Sequence, residues 1–198
     1  MNHMKPRILS LVFVLPLIAL LSCESKKNPD SKELAKEQNE EKFQEVNLEK
    51  DSKFAVEAAD GSMLEIQLGK LAQQKARSAE VKKLGQMMVD DHTKANEELK
   101  AIAAKKNITL PQSMSDKHQK RYNELAEKSG AEFDKEYVDF MVKDHKDDID
   151  EFKDEAEKGN DAELKAWAAA KVPTLQHHLE TAQRTQEGLQ KTTAKKKG

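Results

Sequence analysis

Residues 78–106 read SAEVKKLGQMMVDDHTKANEELKAIAAKK, with apolar side chains at every third or fourth position. A helix returns to the same face at this period, so the stretch predicts one long amphipathic helix. Its inward stripe consists of Val81, Gly85, Met88, Ala95, Leu99 and Ile102. Ser78 is expected to cap its N-terminus, and Pro111 ends the pattern because proline cannot continue a helix.

Three further stretches show the same spacing, at residues 49–75, 131–158 and 161–188. The turns within the first and last pairs of helices are so short that each pair must form an antiparallel hairpin. Residues 107–130 join the two hairpins and contain a short helix that starts at Ser115. The pattern therefore predicts an all-α fold: a ferritin-like, up-down four-helix bundle of two hairpins with a long crossover.

An internal repeat supports this organisation into two hairpins. Ala79-Glu-Val-Lys82 at the start of the second helix recurs as Ala162-Glu-Leu-Lys165 at the start of the fourth. These helices hold equivalent places in the two hairpins, so the similarity indicates duplication of one hairpin.

The composition restricts the class of protein. Of 198 residues, 35% are charged and only 5% aromatic, with seven glycines and five prolines, which argues against a β-sandwich or barrel. The formal net charge of −2 leaves no basic footprint for nucleic acid. The single cysteine excludes a disulfide framework.

Residues 1–22 have the pattern of a lipoprotein signal peptide. Lys5 and Arg7 precede an apolar run of about 14 residues, which is too short to span a bilayer. The run ends in Leu20-Leu21-Ser22-Cys23, which resembles a bacterial lipobox and implies lipidation of Cys23. The alternative is a cleaved secretory peptide with an incidental cysteine.

These features predict a protein of the Gram-negative cell envelope, anchored to the membrane through its lipid. Ser25, rather than aspartate, follows two places after Cys23, which favours the outer membrane facing the periplasm. Residues 23–50 are expected to be a charged tether in which Ser31 caps a short helix that buries little; the alternative is a partner-binding helix. The bundle is expected at 51–188, followed by a frayed basic tail at 189–198.

Each long helix carries one potential metal ligand at an inward heptad position. These ligands are Glu65, His92, His145 and His178. Burial of a carboxylate costs several kcal/mol unless it is paired or bound to a metal, so Glu65 needs a partner. Three imidazoles and a carboxylate could hold one Zn, Cu or Fe ion.

Three other carboxylates could support these ligands. Asp91 and Asp144 each precede a histidine and are expected to hydrogen-bond a histidine of the next helix. Glu57 is an alternate partner of His92, because Glu65 and His92 differ by about 6 Å in height above their turn.

The chain lacks the Glu-x-x-His motif of di-iron carboxylate bundles, because Val89, Val142 and Leu175 stand three residues before the histidines. The alternative to a metal site is a buried Glu/His polar network. No nucleophile elbow or phosphate loop is present, so nothing in the sequence supports nucleophilic catalysis, and an enzyme is the least supported class.

The motifs together resemble the bacterial domain-of-unknown-function family 4142. The resemblance rests on Met88-Val-x-Asp-His92, Phe133-Asp-x-x-Tyr137, Met141-Val-x-Asp-His145 and His178-Leu179, within a match from Phe54 to Ala182. It implies a ferritin-like bundle in an outer-membrane or periplasmic protein, and it assigns no catalytic residue to this chain.

Two functions therefore remain open. The first is a lipid-anchored envelope protein whose bundle binds a metal ion in its core. The second is a non-catalytic structural or partner-binding module of the envelope, with a polar network and no metal.

Overall fold

The computed structural model describes residues 29–43 and 48–195, so the predicted signal peptide and Cys23 lie outside the described residues. These residues form six α-helices and no strand, which confirms the all-α fold. The helices are α1 (Ser31–Phe43), α2 (Glu49–Lys75), α3 (Ala79–Lys105), α4 (Asp116–Ala126), α5 (Gly130–Lys158) and α6 (Ala162–Lys195). None of these helices is both long and apolar enough to cross a bilayer.

The helix boundaries follow local backbone chemistry. Asn107, with φ of 56°, ends α3, and Gly130, with φ of 59°, begins α5; both lie in the left-handed region that these residue types tolerate. Asp161 caps α6 as predicted, accepting hydrogen bonds from the backbone N–H groups of Glu163 and Leu164. α6 continues well past residue 188 to Lys195, because its last turns contain no proline and Leu189 packs on the core.

The four long helices pack in antiparallel pairs. Along α2 and α3, Ser62 contacts the carbonyl of His92 near the middle, and Gln73 contacts that of Lys82 near the turn. α5 pairs with α6 in the same sense, since His145 meets His178 and Asp139 meets Gln186, and the two pairs meet through contacts of α2 with α5 and of α3 with α6.

Two apolar clusters fill the space between these helices. One cluster contains Leu64, Leu68, Met88, Tyr137 and Met141, and the other contains Phe54, Leu99, Leu164 and Trp167. On α3, α5 and α6 the predicted ligand lies between residues of the two clusters, whereas on α2 Glu65 lies between Leu64 and Leu68 of the first cluster. The four polar side chains are therefore sealed above and below by apolar packing.

Glycines set the distance between α2 and α3. A Cβ at Gly69 would lie 2.5 Å from the carbonyl oxygen of Gly85, and a Cβ at Gly85 would lie 2.7 Å from the Cβ of Ala72. Only residues without a side chain permit this approach of the two backbones. The close crossing brings the side chains farther along both helices within reach of each other.

The segment predicted as a tether contains α1, which packs on α2. Ala35 and Phe43 are buried, and the Asn39 side chain both donates to and accepts from the backbone of Thr109, at 2.9 and 2.8 Å. The expectation that a helix here buries little is wrong. Its apolar positions are few, but they are spaced to meet one face of α2 and the segment after α3.

Asp60 joins α1, α2 and α4 at one point. Its carboxylate lies 3.3 Å from the Lys32 amine, 3.0 Å from His118 Nδ1 and 2.7 Å from the backbone N–H of Ser115. Burial raises the pKa of Asp60, but the contacts with His118 and Ser115 outweigh it and bring the pKa down to about 2. The two short helices are thus fixed to the long ones through a buried charge.

Each hairpin turn is closed by an aspartate from the other hairpin. Asp134 of α5 accepts hydrogen bonds from the backbone N–H groups of Arg77 and Ser78, both at 2.9 Å. Asp51 of α2 accepts from those of Asn160 and Asp161. The interval in the sequence between the two aspartates equals the interval between Ala79 and Ala162 of the repeat. The two pairs of turn amides are separated by the same interval.

We predict that Asp51→Ala and Asp134→Ala each lower the free energy of unfolding by about 2 kcal/mol, because the turn amides lose a buried, charged acceptor. Urea denaturation followed by circular dichroism measures this loss. Asp147→Ala, at an exposed position on α5, is the control and should change stability little. Equal effects of all three substitutions would contradict the proposed closure of the turns.

Candidate metal centre

The four predicted ligands meet in the interior between the long helices. Glu65 and His178 are each 1% exposed, His145 is fully buried and His92 is 7% exposed. The ring centroids of the three histidines lie 5.2 to 5.8 Å apart. The four side chains at the inward heptad positions are therefore brought together by the fold.

Glu65 pairs with His92 across α2 and α3. The distance between Glu65 Oε2 and His92 Nδ1 is 2.8 Å, so the difference in height expected from the sequence does not keep them apart. Side chains lean towards the N-terminus of their helix, so in this antiparallel pair Glu65 leans away from the turn and His92 towards it. The two leans bring them to the same level.

His145 has its proton position fixed by its own helix. Its Nδ1 lies 3.1 Å from the carbonyl oxygen of Met141, one turn earlier, and a carbonyl oxygen can only accept. The Nδ1 of His145 is therefore the donor. In the neutral ring, Nε2 then carries the lone pair.

His178 is fixed in the opposite sense by α3. Its Nε2 lies 2.8 Å from Asp91 Oδ2, and this carboxylate contact places the ring proton on Nε2. The lone pair of neutral His178 is then on Nδ1, which lies 3.2 Å from His145 Nε2. Two nitrogen lone pairs thus face each other in the interior of the bundle.

His92 supplies a third free nitrogen. With Nδ1 bound to Glu65, its Nε2 is buried and has no hydrogen-bond partner within the described part of the chain. Each of the three histidines can offer one ring nitrogen so that the three atoms lie within 4.8 Å of one another. Neutral imidazole nitrogens suit Zn²⁺, Cu²⁺ and Fe²⁺, so this cluster has the donors that such an ion needs.

The protonation of the histidines differs with their surroundings. Burial lowers the pKa of His145 to about 4 and also lowers that of His178, so both rings are neutral at neutral pH. Burial acts in the same direction on His92, but the Glu65 carboxylate outweighs it and raises that pKa. The attraction of His92 and His145 likewise overcomes burial at Glu65 and lowers its pKa to about 2.

The supporting carboxylates are placed differently from one another. Asp91 bonds a histidine of the neighbouring helix, as the sequence suggested, whereas Asp144 makes no hydrogen bond to a histidine in the described part of the chain. Burial and the nearby Glu65 raise the pKa of Asp144 to about 7. Glu57 pairs with the amines of Lys32 and Lys36 on α1 and not with His92.

Asp148 is a residue of this region that the sequence reasoning missed. Glu65, His145 and Asp148 form a second group whose potential ligand atoms lie within 4.8 Å of one another. Burial and the Glu65 charge raise the pKa of Asp148 well above its usual range. The repeat could have pointed to it, since Asp148 follows Glu65 at the same interval as Ala162 follows Ala79.

A cavity of about 120 Å³ opens beside the histidines. All four long helices contribute to its walls. Its lining includes Gly61, Glu65, His92, Asp148, Trp167 and His178.

We predict that Glu65→Gln lowers the pKa of His92 from above 6.5 to below it, because burial then acts without the opposing carboxylate. An NMR titration of histidine ring signals in chelator-treated protein measures the change. In the native protein, the pair stabilises the fold fully between pH 4.5 and 6.5; this contribution is lost as pH rises through the raised pKa of His92 or falls through the lowered pKa of Glu65.

Glu57→Gln is the matched control, since Glu57 lines the same cavity and is paired with lysines. It should leave the His92 pKa nearly unchanged. A shift as large as that of Glu65→Gln would show that His92 responds to the charge of the cavity as a whole.

Comparison with known proteins gave one family. No curated protein and no solved structure gave a significant match. A family model described as "Domain of unknown function (DUF4142)" matches residues 25–185, which cover α1 to α5, most of α6 and all the residues of the candidate centre. The chain therefore belongs to the DUF4142 family.

Proposed function

We propose that this protein is a lipid-anchored component of the bacterial envelope whose ferritin-like bundle binds one divalent transition-metal ion. The ligands are His92, His145 and His178. Glu65 and Asp91 are the carboxylates that orient two of these rings.

The ferritin-like arrangement is supported by the directions of the helices. α2 is antiparallel to both α3 and α5, so α3 and α5 run in the same direction. Residues 106–129 must then cover the length of a helix, roughly 40 Å, to join the end of one to the start of the other. Such a crossover is characteristic of ferritin-like bundles.

The observation that carries the metal proposal is the pair of facing nitrogens. Two neutral imidazoles with opposed lone pairs repel each other unless a proton or a cation lies between them. An ion bound tetrahedrally at about 2.0–2.1 Å from each nitrogen would hold them about 3.3 Å apart. The distance from His145 Nε2 to His178 Nδ1 is 3.2 Å.

A shared proton is the weaker explanation. It would place an imidazolium where burial lowers the pKa of both His145 and His178. The unpartnered Nε2 of His92 would also remain without a bond. A metal ion satisfies all three nitrogens at once.

Glu65 takes a different role from the one that the sequence predicts, which is that of a fourth metal ligand. Its carboxylate contacts Nδ1 of His92, whereas the nitrogen of that ring that remains free for a metal is Nε2. Carboxylate–histidine–metal arrangements use such a contact to fix the tautomer and raise the basicity of the ligand. The contact between His178 and Asp91 has the same form.

The alternative function is a structural or partner-binding module without metal. The observation that favours it is the Glu65–His92 contact at 2.8 Å, which alone gives the buried carboxylate a charged partner. The two proposals differ in whether the three histidines take up an ion.

The anchoring proposal rests on the leader and the lipobox-like Leu20–Cys23 sequence. Two or more acyl chains hold a protein stably on a membrane, which a short apolar leader removed by cleavage cannot do. The folded part described by the structure starts close behind Cys23, so the bundle would lie near the membrane surface.

We predict that the full-length protein, purified in detergent and stripped with chelator, binds one equivalent of Zn²⁺ or Co²⁺ in isothermal titration. His178→Gln should weaken binding by at least about a hundredfold, because it removes a ligand. His177→Gln is the matched control, since this exposed histidine is adjacent in sequence and offers the same side chain on the other face.

Failure of the wild-type protein to bind any of Zn²⁺, Cu²⁺, Co²⁺ or Fe²⁺ would leave the metal-free network as the function of the cluster. Equal losses in the two histidine variants would show that the ion binds at the surface.

We also predict that Cys23→Ser abolishes incorporation of radiolabelled palmitate and releases the protein from the membrane fraction, because the thiol that forms the thioether is gone. Ser25→Ala, just beyond the lipobox, should retain the label. Membrane association of the Cys23→Ser protein with a cleaved leader would instead point to another mode of attachment.

A further inference from the structure

The cavity beside the histidines has no assigned occupant. It is lined by His92 of α3 and His178 of α6, and its volume of about 120 Å³ is enough for several water molecules. Apolar side chains of Leu99, Phe152 and Trp167 form part of its wall. It is therefore a small, mixed space in contact with two of the three proposed ligands.

Gly61 keeps this space open. It lies one turn before Glu65 on α2, it lines the cavity, and a Cβ built on it would meet no atom within 4 Å. This differs from Gly69 and Gly85, where a Cβ would collide with the opposite helix. Packing between helices thus does not require glycine at position 61.

The three histidines leave a coordination position free. A tetrahedral ion needs four donors, and within the described residues the cluster of three ring nitrogens has no fourth side-chain member. Glu65 is held on Nδ1 of His92, and Asp91 is held on Nε2 of His178. The described side chains therefore supply no fourth ligand, and a molecule from solvent can take this position.

We propose that the fourth position of the ion opens into the cavity at Gly61 and binds an exchangeable water, which a small monoanion can replace. This inference rests on the proposed metal site and adds an external ligand to it. A centre with three protein ligands and an exchangeable water has the form of a reactive site, whereas a storage or structural site is closed by four.

The cavity sets the class of ligand by charge. Acidic side chains outnumber the lysines of its lining by five to two, which disfavours multiply charged anions. Water, hydroxide and small monoanions such as azide meet this limit.

The test uses the full-length protein loaded with one equivalent of Co²⁺, whose visible absorption reports its coordination. Azide is titrated into the wild-type protein, and phosphate is titrated in parallel. We expect azide to change the spectrum saturably and phosphate to leave it unchanged.

Gly61→Leu places a side chain in the cavity and should weaken azide binding by about tenfold or more, while Co²⁺ still binds. Gly188→Leu is the matched control, because Gly188 is also a helical glycine with nothing within 4 Å of its Cβ position, but it lies outside the cavity. Azide should affect this variant as it affects the wild type. Gly61→Ala provides a smaller step if the leucine variant does not fold or load.

The outcomes separate the two proposals. Absence of Co²⁺ binding to the wild type would overturn the proposed function itself. Bound Co²⁺ with no spectral response to azide would overturn only the open position. A response that persists unchanged in the Gly61 variants would show that the ligand approaches from elsewhere, and an equal response to phosphate would overturn the limit of charge.

Discussion

Burial of the Glu65 carboxylate is the constraint on which the centre of this molecule depends. A carboxylate enclosed by four helices is stable only with a partner, and here the partner is His92 at 2.8 Å. That contact takes up one nitrogen of the ring and directs the other to His145 and His178. The close crossing of α2 and α3 at Gly69 holds the two helices near each other, which makes the pairing possible, and burial of the carboxylate makes it necessary.

The helices and turns follow the internal repeat, but the residues of the candidate metal centre do not. Positions related by the repeat supply both turn closures and the similar openings of α3 and α6. In that register, however, His92 corresponds to Leu175 and His178 to Ala95, and Ser62 corresponds to His145. Glu65 and Asp148 are the one matching acidic pair near the cluster. The three histidines are therefore departures from the repeat, which separates what builds the bundle from what distinguishes its interior.

Helical spacing in the sequence was enough to predict the long helices and the meeting of Glu65 with the three histidines. Periodicity locates the face of a residue, so it is reliable wherever a stripe is long. It does not determine which nitrogen of a ring is occupied, since that depends on partners such as Met141 and Asp91 from outside the stripe. The burial of α1 was underestimated for a related reason. Its few apolar residues give only a weak helical periodicity, and one of its polar partners, Thr109, lies in a loop that is distant in the sequence.

The reciprocal turn closures have a consequence for how such a chain could arise. Asp51 and Asp134 hold corresponding places, and each closes a turn at corresponding amides of the other hairpin. A single hairpin with one such aspartate would leave its own turn open, but two identical copies could close each other around a two-fold axis. Joining those copies through a segment like residues 106–129 would preserve both contacts within one polypeptide. Fusion would also free the halves to differ, and only then could one interior carry an asymmetric set of histidines.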